Sequence, residues 1–283
     1  MDSEKHEIII RPDKGFSAGW RELRQYSELL YFFSWKEIKV RYKQAFLGVL
    51  WTVLQPLALM FIFVFLLNKG LGISTGNIPA PLYYLSGLIL WNLFNQSVSG
   101  AAQSIISNAA IIKKIYFPRL IIPVSAIITA SFDFLISLIL FTGLLLYYRW
   151  FEDYTFSVLY IMAGMSIAFL MVVITAFGIG TLLSAINVKY RDVRYALPFM
   201  MQALFFITPV MFDTQTLSQN WLTLILELNP LYYAIHIVRE SMISGNLNFI
   251  LTLPVWIVGV LILLYLSGII AFRRMEAYFA DIV

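Results

Sequence analysis

Six apolar stretches divide the chain, at Ala45–Leu67, Leu82–Ile106, Leu120–Tyr148, Val158–Ile186, Ala196–Phe212 and Ile250–Phe272. A helix rising about 1.5 Å per residue needs about 17–25 residues to cross hydrocarbon, so the pattern predicts six spans, the fifth being the shortest. Before them, Trp20, Leu23, Leu30 and Phe33 recur at helical spacing while Arg21, Glu22, Arg24 and Glu28 fall elsewhere, which predicts an amphipathic interfacial helix over Ala18–Trp35. Between the fifth and sixth spans, Leu217–Leu228 and Leu231–Ser244 are each too short to cross and are parted by the turn signal Asn229-Pro230. They read either as a re-entrant helical pair in the outer leaflet or as two surface helices. The fold class expected is all-α integral membrane, with a cytoplasmic segment 1–44, a six-span domain 45–272 and a tail 273–283.

Composition agrees with the pattern. At 60% hydrophobic and 13% charged residues, the chain has about half the charge of a soluble domain, where charged residues make up about 25%. Seventeen of the twenty Lys and Arg fall in segments 1–44, 107–119, 187–195 and 273–283, leaving only Lys69, Arg149 and Arg239 on the other side. That asymmetry predicts both termini in the cytoplasm of a multi-pass inner-membrane protein. Topology also accounts for the net charge of +4, without a nucleic-acid partner. The first apolar run is only Ile8–Ile10, too short for a signal peptide, so insertion is expected to use the first span. With no Cys, and with His6 and His236 far apart, no metal site is expected.

Candidate chemistry is sparse. Asp133 is the one formally charged residue inside the expected spans, too little for a proton or sodium relay. It reads as a carboxylate held by Ser or Thr hydroxyls or facing a water-filled cavity. The phosphate-cradling G-x-x-x-x-G-K-[ST] pattern is absent, as are H-E-x-x-H and G-x-S-x-G, and Glu152-Asp153 reads as a solvated turn. An enzyme is therefore not expected, and any work must be driven by another chain. No cofactor is expected in this one.

Two polar or aromatic faces and two loops stand out. Asn92, Gln96, Ser99 and Gln103 share one helix face, with Asn95 beside them; such a face is costly against lipid and must meet either a partner helix or a polar pathway. Phe199, Gln202, Phe206 and Pro209 form a second face, read either as packing or as a surface for sugar rings. The loop Asn108–Pro118 combines Lys113 and Lys114 with Ile111, Ile112, Ile115, Tyr116 and Phe117, more apolar weight than topology requires. It reads as a short helix of about ten residues that docks into another protein. A second loop, Asn187–Tyr195, mixes Tyr190, Arg191 and Arg194 around Asp192. At Ser34–Pro56 a basic segment with Lys36, Lys39, Arg41 and Lys43 runs without a turn signal into the first span, either as a topological anchor or as part of a mechanism.

In Lys39-Val40-Arg41-Tyr42-Lys43-Gln44, Leu47-Gly48-Val49-Leu50-Trp51, Gln55-Pro56, Ile115–Pro118, Tyr190-Arg191-Asp192-Val193 and Asn229-Pro230, the chain resembles the membrane subunit of bacterial ABC exporters of cell-surface polysaccharide, the O-antigen, capsule and teichoic acid permeases. The resemblance implies a homodimer with a channel between its copies, and two copies of a separate ATPase supplying ATP and Mg. It implies a lipid-linked glycan of the undecaprenyl-pyrophosphate type as cargo, O-antigen first, with teichoic acid, capsule or a small hydrophobic substrate as alternatives. By position, Asn108, Ile111, Ile112, Lys113, Lys114, Tyr116, Phe117 and Pro118 become the coupling helix on the ATPase, and Tyr190, Arg191, Asp192 and Arg194 a second contact. Lys36, Lys39, Arg41 and Lys43 become the entrance for the lipid headgroup, and Asn92, Gln96, Ser99, Gln103, Phe199, Gln202 and Phe206 the channel lining. The 217–244 stretch becomes the re-entrant pair that narrows the exit.

Overall fold

The structure is a computed structural model that describes residues 24–43, 48–115, 117–212, 226–243 and 253–276. Every element in it is a helix. In order they are α1 (Ser27–Lys43), α2 (Leu50–Phe63, continued as a π-helix over Val64–Gly70), α3 (Ala80–Ser107), the single turn α4 (Ala109–Ile112), α5 (Ile121–Phe151), α6 (Val158–Lys189), α7 (Val193–Ile207), α8 (Pro230–Ile243) and α9 (Val255–Glu276). Apolar sequence in lipid leaves helix as the local solution, since only helix satisfies each backbone group within its own segment. Prolines mark several starts: Pro81 lies in the first turn of α3, where its missing N–H costs nothing, and Pro230 opens α8.

Among the described residues, four helical stretches are long and apolar enough to cross a membrane: Leu50–Gly70, Ile121–Phe151, Val158–Lys189 and Val255–Glu276. The second and fifth expected spans exist as helices but do not meet that test. Helix α7 has only 15 residues. Helix α3 has 28, and its amides and hydroxyls lower its apolar content; it also has more buried residues than any other described helix, with every residue from Leu82 to Trp91 inside the protein. A helix at the centre of a bundle meets other helices and not lipid, so it can carry polar groups. Helices α5 and α6 both pack along α3 and touch each other little, and α9 and α8 pack on α6.

One core runs through α2, α3, α5, α6 and α8. A second cluster gathers Phe33, Ile105, Ile112, Phe117, Ile121, Ala185, Val188 and Phe272. It brings the start of α5, the ends of α3, α6 and α9, and the 108–120 loop to one end of the bundle. Asn187 ties that end together by donating from Nδ2 to the Ala102 carbonyl at 2.8 Å. At α8, Arg239 is only 9% exposed and donates to the carbonyls of Pro209 (2.8 Å) and Val210 (3.0 Å), with its guanidinium 3.6 Å from the centre of the Tyr83 ring. Counted from the sequence as a loop cation, Arg239 is a staple between α8, the end of α7 and α3. Leu226–Ile243 lies against α3 and α6; the preceding part of the outer stretch, including most of Leu217–Leu228, lies outside the described residues.

Several boundaries move. The first helix does not stop at Trp35 but continues to Lys43, because Lys36, Glu37 and Arg41 find polar partners along the bundle; its expected beginning, 18–23, lies outside the described residues. The expected ten-residue helix over Asn108–Pro118 is the one turn Ala109–Ile112 followed by turn residues 113–115, since Ile112 and Phe117, about 140° apart on a continuous helix, both enter the same buried cluster. Helix α7 ends at Ile207, so buried Pro209 does not continue the face of Phe199, Gln202 and Phe206. The joint between the basic segment and the first span does contain a turn signal: Gly48 sits at φ 49°, with its carbonyl accepting from Trp51 at 3.4 Å. A left-handed residue with a Cβ costs about 1–2 kcal/mol, so Gly48→Ala is expected to destabilise the protein by about 1 kcal/mol. The check is the thermal unfolding midpoint of the purified protein in detergent, which an unstrained joint would leave unchanged.

Candidate functional site

Helix α1 runs alongside the first half of α5. The Phe33 and Phe117 rings lie 5.5 Å apart, the Thr129 hydroxyl approaches the Glu37 carboxylate at 3.3 Å, and Arg41 and Tyr42 both reach Asp133. Burial pushes the Glu37 carboxyl up from its usual range, and the Thr129 hydroxyl and the Arg41 and Lys36 charges pull against that rise. The Tyr42 phenol is pushed up to about 12 by burial and by its bond to Asp133, so it remains a donor at neutral pH. Its oxygen also lies 3.2 Å from the Thr52 hydroxyl on α2.

Asp133 is thus the centre of a small network. Arg41 Nη1 ion-pairs with its carboxylate and donates to Gln96 Oε1 at 2.9 Å, linking α1, α3 and α5. The carboxylate side chain is 5% exposed and the arginine 41%, so the anion is buried and the cation reaches toward an opening. The Asp133 carboxylate has neither Ser nor Thr side chains as partners among the described residues; its oxygens accept from an arginine and a tyrosine about ninety positions earlier, while Ser137 donates to the backbone carbonyl at 3.0 Å. Sequence reasoning missed this pair. The available signal was that a lone carboxylate in a span needs a cation, and that the nearest cations in the chain's layout lay in 36–43.

The opening is a cavity of ≈ 320 Å³ lined by Arg41, Tyr42, Gly48, Trp51, Thr52, Gln55, Asn92, Asn95, Gln96 and Asp133. It joins the basic segment to the polar face of α3. That face is where the central helix opens: between Leu82 and Ile105 the only residues not fully buried are Asn92, Asn95, Gln96, Ser99, Gly100 and Gln103. Ser99 donates to Asn95 at 3.4 Å within the face. A roomier groove of ≈ 570 Å³ between α5 and α6 is lined by Phe, Leu, Met, Ile and Val with only Thr142 and Ser166 for polar groups, and it offers a hydroxylated ligand little.

The remaining sequence candidates separate. Lys39 and Lys43 are exposed, with no ion-pair partner among the described residues, whereas Lys36 is half-buried with its Nζ 3.3 Å from Asn108 Oδ1 and 5.8 Å from the centre of the Phe33 ring. In the 108–118 loop, Asn108, Ile112 and Phe117 are buried, Ile111 and Pro118 half-buried, and Lys113, Lys114 and Ile115 exposed; Tyr116 lies outside the described residues. Tyr190, Arg191, Asp192 and Arg194 are exposed, with Lys189 Nζ 5.1 Å above the Tyr190 ring. Phe199, Gln202 and Phe206 point away from the bundle, while Phe205 turns inward to Trp91, with ring centres 5.2 Å apart.

Comparison with known proteins follows the same lines. The chain is 28% identical over 256 residues to the O-antigen export system permease protein RfbA of Klebsiella pneumoniae, covering 90% of this chain and 95% of that protein. It is 31% identical over 213 residues to the O-antigen export system permease protein RfbA of Myxococcus xanthus, covering 75% and 78%. It is 23% identical over 242 residues to the polysialic acid transport protein KpsM of Escherichia coli, covering 85% and 91%. The profile of the ABC-2 type transporter family matches residues 28–243, which take in all but the first residue of α1 to α8 and the whole of the polar cavity, and the chain is a multi-pass membrane protein of that family.

Proposed function

We propose that this chain is the permease subunit of an ATP-driven exporter that carries a lipid-linked polysaccharide, O-antigen first among the candidates, across the bacterial inner membrane with both its termini in the cytoplasm. The observation that carries the reading is the open polar face of α3. A central helix that is otherwise buried leaves amides and hydroxyls accessible over Asn92–Gln103, which suits a hydrated glycan and would hinder an apolar cargo. The names of the relatives point the same way.

In this reading six spans per copy are completed by a second copy of the chain. The exposed apolar faces of α2 (Trp51, Phe61, Phe65) and α7 (Phe199, Phe206) are the surfaces left over for it, for lipid, or for the channel wall. Leu217–Ser244 narrows the exit as a re-entrant pair. Two copies of a separate ATPase bind ATP and Mg and seat the 108–118 and 187–195 loops. Lys113, Lys114 and Ile115 make the coupling contact, since Ile112 and Phe117 are committed to the core. Exposed Lys39 and Lys43, with Lys36 behind them, attract the pyrophosphate of the lipid headgroup as point charges. Arg41 is already matched by Asp133.

Replacing Asn92, Ser99 and Gln103 together with Leu, Ala and Leu is expected to lower surface glycan by tenfold or more while the chain reaches the membrane in normal amount. Immunostaining of intact cells against total membrane-bound protein measures both. Undiminished surface glycan would overturn the reading.

A further inference from the structure

The polar cavity is electrically balanced, and that decides what it can hold. Arg41 contributes one positive charge and Asp133 one negative, joined as an ion pair; the other eight lining residues, Tyr42, Gly48, Trp51, Thr52, Gln55, Asn92, Asn95 and Gln96, are neutral. A diphosphate placed there would meet a carboxylate and find its cation already engaged. A neutral polyol would meet none of that repulsion. The side chains offer both donors and acceptors: four amides, the Thr52 hydroxyl, and the guanidinium, of which Nη1 alone makes the contacts to Gln96 and Asp133. Its Nη2 and Nε make no bond to other described residues, so their N–H groups are left for a ligand. Trp51, 58% exposed, adds a flat apolar ring at the rim. At ≈ 320 Å³ the space is at the small end of ligand sites, which run about 300–1,000 Å³.

We propose that this cavity is a pyranose subsite: it takes the neutral sugar ring next to the diphosphate of the lipid-linked cargo. The ring's C–H face lies on Trp51, its hydroxyls are bonded by Asn92, Asn95, Gln55 and the free edge of Arg41, and the diphosphate stays outside the cavity. The subsite rests on the exporter reading and adds to it a division of labour. The lysines recognise any prenyl diphosphate, and the cavity distinguishes one that carries a sugar.

The test uses the full chain with its ATPase in lipid nanodiscs. Binding is measured by titration calorimetry of farnesyl diphosphate and of a set of farnesyl diphosphates each bearing one hexose or N-acetylhexosamine. At least one sugar-bearing probe is expected to bind tenfold or more tightly than the bare diphosphate. Trp51→Ala should erase that margin and leave the bare probe unchanged, Trp51→Phe should keep part of it, and Lys39→Gln with Lys43→Gln should weaken both kinds of probe alike. Equal binding of bare and sugar-bearing probes by the unmodified protein, or an equal loss of both on Trp51→Ala, overturns the subsite and leaves the exporter reading standing. Failure of the unmodified protein to bind any of them overturns both.

Discussion

Arg41→Leu is expected to destabilise the protein by about 3 kcal/mol and Asp133→Leu by only about 1 kcal/mol. Removing one member of a buried pair costs about 3–5 kcal/mol, because the charge left behind has lost its compensation. The two members are not equally buried: Asp133 is 5% exposed at its side chain and Arg41 41%. Without Arg41, the carboxylate keeps only the Tyr42 hydroxyl and must stay charged in a poor medium or take up a proton. Without Asp133, the guanidinium keeps Gln96 and turns toward water, where exposed ion pairs are worth about 0–1 kcal/mol. The double variant, with two leucines facing each other, is expected to lie near the unmodified protein and above Arg41→Leu. Unfolding midpoints of the three variants in one detergent give the order. A double variant less stable than either single one, or Asp133→Leu as damaging as Arg41→Leu, would show that the buried charge left on Asp133 is not what makes the loss of Arg41 costly.

That asymmetry also marks where sequence reading stops. Periodicity shows which residues share a helix face, so the Asn92–Gln103 face was legible, and the structure leaves that same face open on an otherwise buried helix. The apolar runs gave the helical class and the position of every long helix. What local pattern does not carry is which face meets which helix. Arg41 and Asp133 are separated by 92 positions, and nothing within either segment names the other. The cations at 36–43 looked alike in the sequence; tertiary register sorts them into a paired Arg41, a half-buried Lys36 and two exposed lysines. The 108–118 loop carries more apolar weight than topology requires, yet Ile112 and Phe117 spend their apolar surface on the protein's own second core. Gly48 was in view as a residue, but its left-handed backbone became visible only with the turn it makes.

The second large effect is expected at a glycine that no motif singled out. Helix α6 touches three neighbours through small residues: a Cβ on Gly164 would come within 2.7 Å of the Ser241 hydroxyl on α8, and one on Gly180 within 2.8 Å of the Ala101 Cβ on α3. One on Gly178 would collide with the Leu264 carbonyl on α9, and one on Gly268 of α9 with the Gly178 carbonyl. The last two contacts are backbone against backbone, so no flexible side chain can yield and the helices themselves must part. Helix pairs in lipid gain their stability from such close approach, since burying apolar area between them gains little over burying it in lipid. Gly178→Ala is therefore expected to cost about 1–3 kcal/mol, the usual range for overpacking, and Gly178→Leu to abolish recovery of folded, monodisperse protein. Gly143→Leu is the control: nothing lies within 4 Å of a Cβ there, so the same added volume on α5 should leave yield and unfolding midpoint as they were. Size-exclusion profiles of the three variants test the claim. Equal recovery of Gly178→Leu and Gly143→Leu would mean that α9 does not pack on α6 through these glycines, and that the seat of the last helix lies elsewhere.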